Sequence, residues 1–218
     1  MRLKKVKNAE IIVKNGKYYV DNPTFYKGKW HEFFKNDNPI YLEIGMGKGK
    51  FILENALTYP NINFIGIEKY DSVLARAIQK TNEYEMDNLK LVQLDALNLE
   101  EVFAKEISLI YLNFSDPWPK DRHAKRRLTS EVFLNIYDKI FKNDNHIVMK
   151  TDNINLFNYS LDSLSKFGYD IIYKTNDLNK VRIFNIQTEY EKKFVDLDIK
   201  INKLEAFKKE CNNKDSKK

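Results

Sequence analysis

The stretch Tyr41-Leu42-Glu43-Ile44-Gly45-Met46-Gly47-Lys48-Gly49 decides the fold of this chain of 218 residues. It begins as a short apolar strand and ends in a turn whose glycines let the backbone bend tightly and approach a ligand closely. Residues 51–57 then have the spacing of a helix. The order of strand, glycine turn and helix is typical of α/β domains that bind a ligand beyond the carboxyl ends of their strands.

The same alternation continues along the chain. Apolar strands separated by helical stretches predict right-handed crossovers and therefore a mostly parallel sheet. We predict strands at residues 41–44, 63–67, 89–94, 107–114 and 146–150, and helices at residues 51–57, 72–85 and 130–141. The chain is accordingly expected to form an α/β fold.

The sequence before this alternation is mixed. Residues 11–13 and 18–20 flank Asn15-Gly16, which favours a hairpin. Residues 26–34 predict a short helix with Trp30, Phe33 and Phe34 on one side. We treat residues 1–38 as an N-terminal extension, in which the basic residues near the start either contact RNA or belong to a frayed terminus.

The sequence after the alternation predicts more strand. Residues 169–173 and 181–194 are rich in apolar and β-branched side chains and favour a closing hairpin. Residues 208–218 are polar and are expected to be a frayed tail. The main domain is therefore expected at residues 39–207.

Composition sets outer limits on function. The 37 Lys and Arg residues exceed the 31 Asp and Glu residues, for a formal net charge of +6, which fits a polyanionic partner or a solvated surface of mixed charge. Cys211 is the single cysteine, so one chain can form neither a disulfide nor a cysteine-based zinc site. No stretch approaches the roughly 20 apolar residues of a membrane span. We expect a cytoplasmic protein.

Acidic residues follow three successive predicted strands. Glu43 precedes the first glycine, where its charge would repel a pyrophosphate but suit an ammonium group, such as that in the methionine part of S-adenosylmethionine. Glu68 ends the second strand, where an acidic side chain can accept from ribose hydroxyls. Asp95, followed by Ala96, ends the third strand and can accept from the adenine amine. The glycine spacing, G-x-G-x-G, differs from that of dinucleotide enzymes.

The fourth strand ends in Ser115-Asp116-Pro117-Trp118-Pro119-Lys120. Its two prolines fix φ and remove two backbone donors, so the loop is stiff. A stiff loop would hold Asp116 at a defined place in the site, and Trp118 could pack or stack on a base. The alternative is a proline-rich turn with a core tryptophan.

A basic run follows this loop. Residues 120–127 contain five Lys or Arg side chains, which can contact phosphates or can simply be solvated. Together with the loop, this run carries the most specific resemblance in the chain.

The motifs occur in the order of the bacterial single-chain tRNA (guanine-N7-)-methyltransferases, which the chain resembles over nearly its whole length. They are Glu43-Ile-Gly-Met-Gly-Lys-Gly49, Gly66-Ile-Glu68, Leu112-Asn-Phe-Ser-Asp-Pro-Trp-Pro-Lys120, Arg122-His-Ala-Lys-Arg-Arg-Leu128, Lys150-Thr-Asp152-Asn153 and Thr188-Glu-Tyr-Glu191. The run Asn-Phe-Ser-Asp-Pro-Trp-Pro-Lys with Arg-His-x-Lys-Arg-Arg is highly specific, whereas many methyltransferases share the glycine turn.

The resemblance implies a class I S-adenosylmethionine-dependent methyltransferase fold with a seven-stranded sheet. It implies transfer of a methyl group to N7 of a guanine in the tRNA variable loop. Separately, we expect no metal, no membrane and no obligate protein partner, and a monomer or a homodimer. The resemblance implies four groups of site residues: catalytic Asp116; cofactor-binding Glu43, Gly45, Gly47, Glu68, Asp95, Ala96 and Asp116; substrate-binding Lys120, Asp152, Thr188, Glu189, Tyr190 and Glu191; and RNA-binding Arg122, His123, Lys125, Arg126 and Arg127.

Several alternatives stay open. Asp152 before a helical stretch also has the form of an N-cap, and Thr188-x-x-Glu191 has the form of a capping box. An amino-methyltransferase with an Asp-Pro-Pro-Tyr loop would carry an aromatic residue where Pro119 stands. A nicotinamide oxidoreductase is disfavoured by Glu43 and by the glycine spacing. A non-catalytic RNA-binding module would be expected to lose the strand-end carboxylates.

Overall fold

A computed structural model describes residues 5–209. Its centre is a seven-stranded sheet in the order β3-β2-β1-β4-β5-β7-β6. The strands are β1 (Ile40–Ile44), β2 (Asn63–Glu68), β3 (Leu89–Gln93), β4 (Ile107–Asn113), β5 (Asn145–Thr151), β6 (Asp170–Thr175) and β7 (Asn202–Lys208).

Strands β1 to β5 are parallel, and β7 lies antiparallel between β5 and β6. The strand order reverses between β1 and β4, because the chain builds outward from β1 to one side and then continues from β4 on the other. Open sheets of this kind bind ligands beyond the carboxyl ends of the strands at that point. Gly45 and Phe114, which directly follow β1 and β4, therefore mark the expected site.

Helices cover both faces of the sheet. They are α1 (Ala9–Lys14), α2 (Trp30–Phe34), α3 (Lys50–Thr58), α4 (Asp71–Thr81), α5 (Leu99–Val102), α6 (Glu131–Ile140), α7 (Ile154–Lys166) and α8 (Glu189–Asp196). Short 3-10 turns occupy Pro23–Tyr26, Ala96–Asn98, Asp121–Arg126 and Leu178–Lys180.

Two apolar cores follow from the alternation of side chains along the strands. On one face, Phe64 and Leu91 pack with Val13, Ile52 and Leu74 of α1, α3 and α4. On the other face, strand residues pack with α5, α6 and α7, and this core contains Leu42, Ile110, Leu134 and Phe157 among others. The strands are buried on both faces, which explains why they appear in the sequence as near-continuous apolar runs.

The predicted N-terminal hairpin was wrong. Residues 9–14 form α1, and residue Tyr19 makes only an isolated parallel bridge with Leu91. Packing decides this, because Ala9 and Val13 lie one turn apart and are buried against the core that contains α4. The predicted aromatic helix is confirmed in a shorter form as α2, where Trp30 is fully buried.

The predicted strand at residues 181–194 was also wrong. Residues 189–196 form α8, and the closing strand is β7, farther along the chain. The apolar side chains before α8 do not form strand pairs; Ile183 and Phe184 are exposed. The hairpin that does close the sheet joins β6 to β7 across an insertion that contains α8.

Some expectations fall outside the described residues. Arg2, Lys4, Cys211 and nearly all of the predicted tail belong to residues 1–4 or 210–218. Within residues 5–209, no helix is long and apolar enough to cross a membrane. The same residues contain no group of three or more His, Cys, Asp or Glu side chains arranged to hold a metal ion.

Candidate active site

The turn after β1 forms the floor of a cleft. Gly45 and Gly47 have φ of 73° and 61°, a region that favours glycine because a side chain would be strained there. The amides of Gly45 and Met46 both donate to the carbonyl of Ile67 at 3.0 Å, which ties the turn to β2. The turn is thus held open, with no side chain from either glycine to obstruct the cleft.

Glu43 lies at the base of this cleft and is 2% exposed. Its Oε1 accepts from Asn113 Nδ2 at 2.9 Å, and its Oε2 is buried without a hydrogen-bond partner. Burial raises the pKa of Glu43 to about 8, the Asn113 hydrogen bond opposes the rise, and the charge of Glu189 adds to it. A buried, unpartnered carboxylate oxygen is costly, and a cationic donor entering the cleft would satisfy it.

Glu68 ends β2 and fixes the glycine turn. Its Oε2 accepts from Gly47 N at 3.1 Å, and its Oε1 accepts from the amides of Lys69 and Tyr70 at 2.9 and 3.1 Å. Burial raises the pKa of Glu68, these amides oppose the rise, and the charge of Asp116 adds to it. Three amides leave this carboxylate with further acceptor capacity for ligand hydroxyls.

Asp95 follows β3 and is more open. Its Oδ1 accepts from Leu97 N at 3.1 Å, and its Oδ2 accepts from Lys69 Nζ at 2.6 Å. Burial acts to raise the pKa of Asp95, but these hydrogen bonds and the charge of Lys69 together hold it below its usual range. Ala96 begins the 3-10 turn that Asp95 caps.

The acidic loop, residues 114–120, follows β4 in a strained conformation. Phe114 and Trp118 have φ of 51° and 42°, which non-glycine residues adopt rarely. The amide of Phe114 donates to the carbonyl of Lys150 at 2.8 Å, which anchors the loop to β5. The side chain of Asp116 is exposed, and its charge helps to raise the pKa of Glu68, so Asp116 is near the carboxylate that ends β2.

The side chains of the basic run, residues 120–127, differ in their exposure to solvent. Lys120, Arg122, Lys125 and Arg126 are exposed, and His123 is half-buried. The guanidinium of Arg126 lies 4.8 Å from the centre of the Trp118 ring. Arg127 differs, because it is 9% exposed and donates into the acidic loop.

The N-terminus of α8 forms the opposite wall. Thr188 and Glu191 form the predicted capping box: Thr188 Oγ1 accepts from Glu191 N at 3.0 Å, and Glu191 Oε2 accepts from Thr188 N at 3.4 Å. Glu189 pairs with Lys80 of α4, and Tyr190 is exposed. Residues 188–191 therefore both cap α8 and contribute to the lining of the cleft.

Glu191 is fully buried and also pairs with Lys150 of β5. Lys150 Nζ donates to Glu191 Oε2 at 2.8 Å, to Asn185 Oδ1 at 2.9 Å and to the carbonyl of Ile186 at 2.8 Å. Burial lowers the pKa of Lys150, and the Glu191 carboxylate opposes that change. The sequence-based site omitted Lys150, although a lysine in an otherwise apolar strand is a signal for a buried charge pair.

These walls enclose a cleft of about 540 Å³, including its open mouth. Residues from two of the predicted groups, the cofactor-binding and the substrate-binding residues, line it, together with five residues that the sequence-based site omitted: Met46, Lys48, Asn113, Phe114 and Lys193. The full lining is Glu43, Gly45, Met46, Gly47, Lys48, Asn113, Phe114, Thr188, Glu189, Tyr190 and Lys193.

Three predicted substrate residues, Lys120, Asp152 and Glu191, do not line this cleft. Neither do four of the predicted cofactor residues, Glu68, Asp95, Ala96 and Asp116. Lys120 is exposed at the end of the acidic loop. Asp152 is exposed after β5, and the cap of α7 is its neighbour Asn153, whose Oδ1 accepts from Leu156 N at 2.9 Å. The interpretation of Asp152 as an N-cap is therefore wrong, and its side chain is left to face solvent.

Comparisons with known proteins agree with this geometry. The family profile described as "Putative methyltransferase" matches residues 37–204. The tRNA (guanine-N(7)-)-methyltransferase of Lachnoclostridium phytofermentans is 49% identical over 95% of this chain and 99% of its own length. The tRNA (guanine-N(7)-)-methyltransferase of Brevibacillus brevis is 47% identical over 94% of this chain and 98% of its own length.

Solved structures share the fold at low sequence identity. The 16S rRNA methyltransferase KamB superposes with a TM-score of 0.66 at 10% identity, over 91% of this chain and 98% of that one. An antibiotic-related methyltransferase superposes with a TM-score of 0.61 at 17% identity, over 84% of this chain and 94% of that one. The sheet is that of the class I methyltransferases, and the chain belongs to the bacterial tRNA (guanine-N7-)-methyltransferase family.

Proposed function

We propose that the protein transfers a methyl group from S-adenosylmethionine to N7 of a guanine in the tRNA variable loop. Membership of the family supports the reaction. The observation that carries the proposal is the buried Glu43 oxygen without a partner, at the base of a cleft that the acidic loop borders.

The residues at the strand ends fit this cofactor. Glu43 would accept from the ammonium group, Glu68 from the ribose hydroxyls and Asp95 from the adenine amine, with Gly45, Gly47 and Ala96 supplying close backbone contact. The charges of Glu189 and Glu68 raise the pKa of Glu43, and the charge of Asp116 raises the pKa of Glu68. This gathering of acidic groups favours a cationic ligand. When bound, the cofactor supplies an electrophilic methyl group on a sulfonium.

Asp116 has the catalytic role in this proposal. Guanine N7 carries an in-plane lone pair and no proton, so the acceptor needs no general base. The purine gains positive charge as it is methylated, and a carboxylate fixed by the acidic loop stabilises that charge. The same carboxylate can accept from N1–H and the amino group of the guanine and so orient the base. The base must leave its stack to reach the site.

Basic and polar residues around the cleft would bind the tRNA. Arg122, His123, Lys125 and Arg126 lie on one segment after Asp116 and would contact phosphates, while Lys120, Asp152 and residues 188–190 would contact the substrate nucleotide. Glu191 is fully buried and would act by fixing the start of α8. Each phosphate contact should contribute about −0.7 to −0.9 to the slope of log K against log[salt].

We also propose that residues 39–207 carry the reaction and that residues 1–38 add RNA contacts. The proposed site of action is the cytoplasm, and the proposed active form is a monomer or a homodimer without an obligate partner protein. The cytoplasm is proposed because the proposed substrate is tRNA.

A labelling experiment tests the reaction. The protein is incubated with bulk tRNA and methyl-labelled S-adenosylmethionine, and the product is treated with borohydride and aniline, which cleave RNA at 7-methylguanosine. We expect label in tRNA and cleavage at the labelled nucleotide. Absence of label in RNA would refute the proposal, and label without cleavage would assign the methyl group to another atom or base.

A further inference from the structure

Arg127 differs from the rest of the basic run in what it touches. Its side chain donates from Nε to the carbonyl of Pro117 at 3.2 Å and from Nη2 to the carbonyl of Trp118 at 3.0 Å. On its other side, the guanidinium lies 4.3 Å from the centre of the Tyr159 ring of α7. With 9% of its surface exposed, it is enclosed between the acidic loop and α7.

These contacts address a specific weakness of the acidic loop. Pro117 and Pro119 have no backbone N–H, and Trp118 has an unfavourable positive φ, so the loop cannot be held by regular backbone pairing. Its carbonyls still need donors. A planar guanidinium can bridge two of them at once, and a stacked ring keeps that plane in position.

We propose that Arg127 is a positioning residue, which holds the Asp116 loop by bridging the carbonyls of Pro117 and Trp118, and that it does not bind RNA phosphate. The inference rests on the proposed function, because its effect is measured on methyl transfer. Asp116 directly precedes the first bridged carbonyl, so rotation of the loop would move its carboxylate. A displacement of about 1 Å at a reacting centre can cost on the order of 100-fold in rate.

Two substitutions of Arg127 separate positioning from phosphate binding. Arg127→Ala should lower the single-turnover rate at saturating tRNA by about 10- to 100-fold, and it should leave the salt slope of tRNA binding unchanged. Arg127→Lys keeps the charge, but an ammonium does not have the planar fork that bridges both carbonyls. We therefore expect Arg127→Lys to lose rate in the same range, whereas a phosphate-binding residue would tolerate this change.

Neighbouring residues provide matched variants. Arg126→Ala removes an exposed cation and should reduce the magnitude of the salt slope by about 0.7 to 0.9. Tyr159→Leu removes the ring that supports the guanidinium and should lower the rate several-fold. Brief trypsin treatment gives a readout without catalysis: cleavage at exposed Lys120, Arg122 and Lys125 should be faster in both Arg127 variants than in wild type.

The outcomes are distinguishable. If wild-type protein fails to methylate tRNA, the proposed function is wrong, but the trypsin comparison still tests the role of Arg127. If wild type is active, a wild-type rate for Arg127→Lys would overturn the positioning role, as would a fall in salt slope for Arg127→Ala like that of Arg126→Ala. Should Arg127→Ala prove unstable, Arg127→Lys decides, with folding checked by thermal unfolding.

Discussion

The two walls of the cleft are built in different ways. The acidic loop, residues 114–120, is constrained by its own prolines and by Arg127 close by in sequence. The opposite wall, at the start of α8, is anchored by Lys150, 41 residues away from Glu191. The loop was recognised as a site element from its own residues. The start of α8 was assigned to the site only through the resemblance, and the span that contains it, residues 181–194, was predicted to be strand. A loop whose constraints come from neighbouring residues can be predicted from the sequence. A charge pair between residues that are far apart in the sequence cannot.

The largest expected effect comes from breaking the distant anchor. Lys150→Met would leave Glu191 buried without its cation, because the two side chains are 3% and 0% exposed. Breaking a buried pair in this way costs about 3–5 kcal/mol. We expect the free energy of unfolding, measured in urea, to fall by that amount.

A surface pair provides the control for this prediction. Lys166→Met breaks the exposed pair with Asp162 on α7, which should cost less than about 1 kcal/mol. The double variant Lys150→Met with Glu191→Gln should recover part of the loss, because it removes the unpaired charge. Equal losses for Lys150→Met and Lys166→Met would show that α8 does not depend on its distant anchor.

The next effect tests the chemistry of the acidic loop. Asp116→Asn keeps the size of the side chain and removes its charge, so the rate of methyl transfer should fall about 100- to 1,000-fold, as on loss of one preorganised electrostatic contact. Thermal unfolding should not change, because Asp116 is exposed. Asp121→Asn on the following turn is the control, and near-wild-type turnover by Asp116→Asn would contradict its catalytic role.

Glu43 lies between the two walls, because the Asn113 hydrogen bond lowers its pKa and the charge of Glu189 raises it. Its ammonium contact is a hydrogen bond between charged groups, so Glu43→Gln should weaken cofactor binding by about 1.5–3 kcal/mol, or roughly 10- to 150-fold. Because burial raises the pKa of Glu43 to about 8, the free protein holds a proton there at pH 7. Cofactor binding to the carboxylate should release that proton and should strengthen from pH 6 to 7.

Calorimetry in two buffers of different ionisation enthalpy measures the released proton. Wild type should release close to one proton at pH 7, and Glu43→Gln should release none.

The raised pKa of Glu43 also predicts how the stability of the fold changes with pH. A carboxyl whose pKa is higher in the folded protein than its ordinary 4.5 destabilises the fold as pH increases from about 4.5 to 8. Glu43→Gln should flatten the unfolding free energy over that range, and an unchanged pH dependence would exclude a raised pKa.

The smallest effect isolates the local part of the α8 wall. Thr188→Ala removes one half of the capping box and should cost about 1 kcal/mol of stability, with a loss of a few fold in tRNA affinity. Asn153→Ala removes the corresponding cap of α7 and should cost a similar stability without changing tRNA affinity. If Thr188→Ala destabilised as much as Lys150→Met, the local cap and the distant anchor would have equal weight.

The sequence was sufficient for much of the sheet and of the site. Strands β1 to β6 were located to within a few residues, because buried parallel strands form apolar runs between turn residues. The strand-end carboxylates and the acidic loop followed from those positions. The N-terminal segment was not predictable in the same way. Glu106 Oε2 accepts from Gly28 N at 2.8 Å, and its Oε1 accepts from Trp30 N at 2.9 Å. These two hydrogen bonds join residues that are 78 and 76 positions apart in the sequence.

The antiparallel position of β7 has a consequence during synthesis. Strand β6 leaves the ribosome before β7, the strand that joins it to β5, so β5 has an unpaired edge until the last strand emerges. Such an edge invites pairing with other chains. Because α8 directly precedes β7, closing that edge and completing the cleft occur in the same late step. A newly made chain would thus gain protection from aggregation and a finished ligand site together.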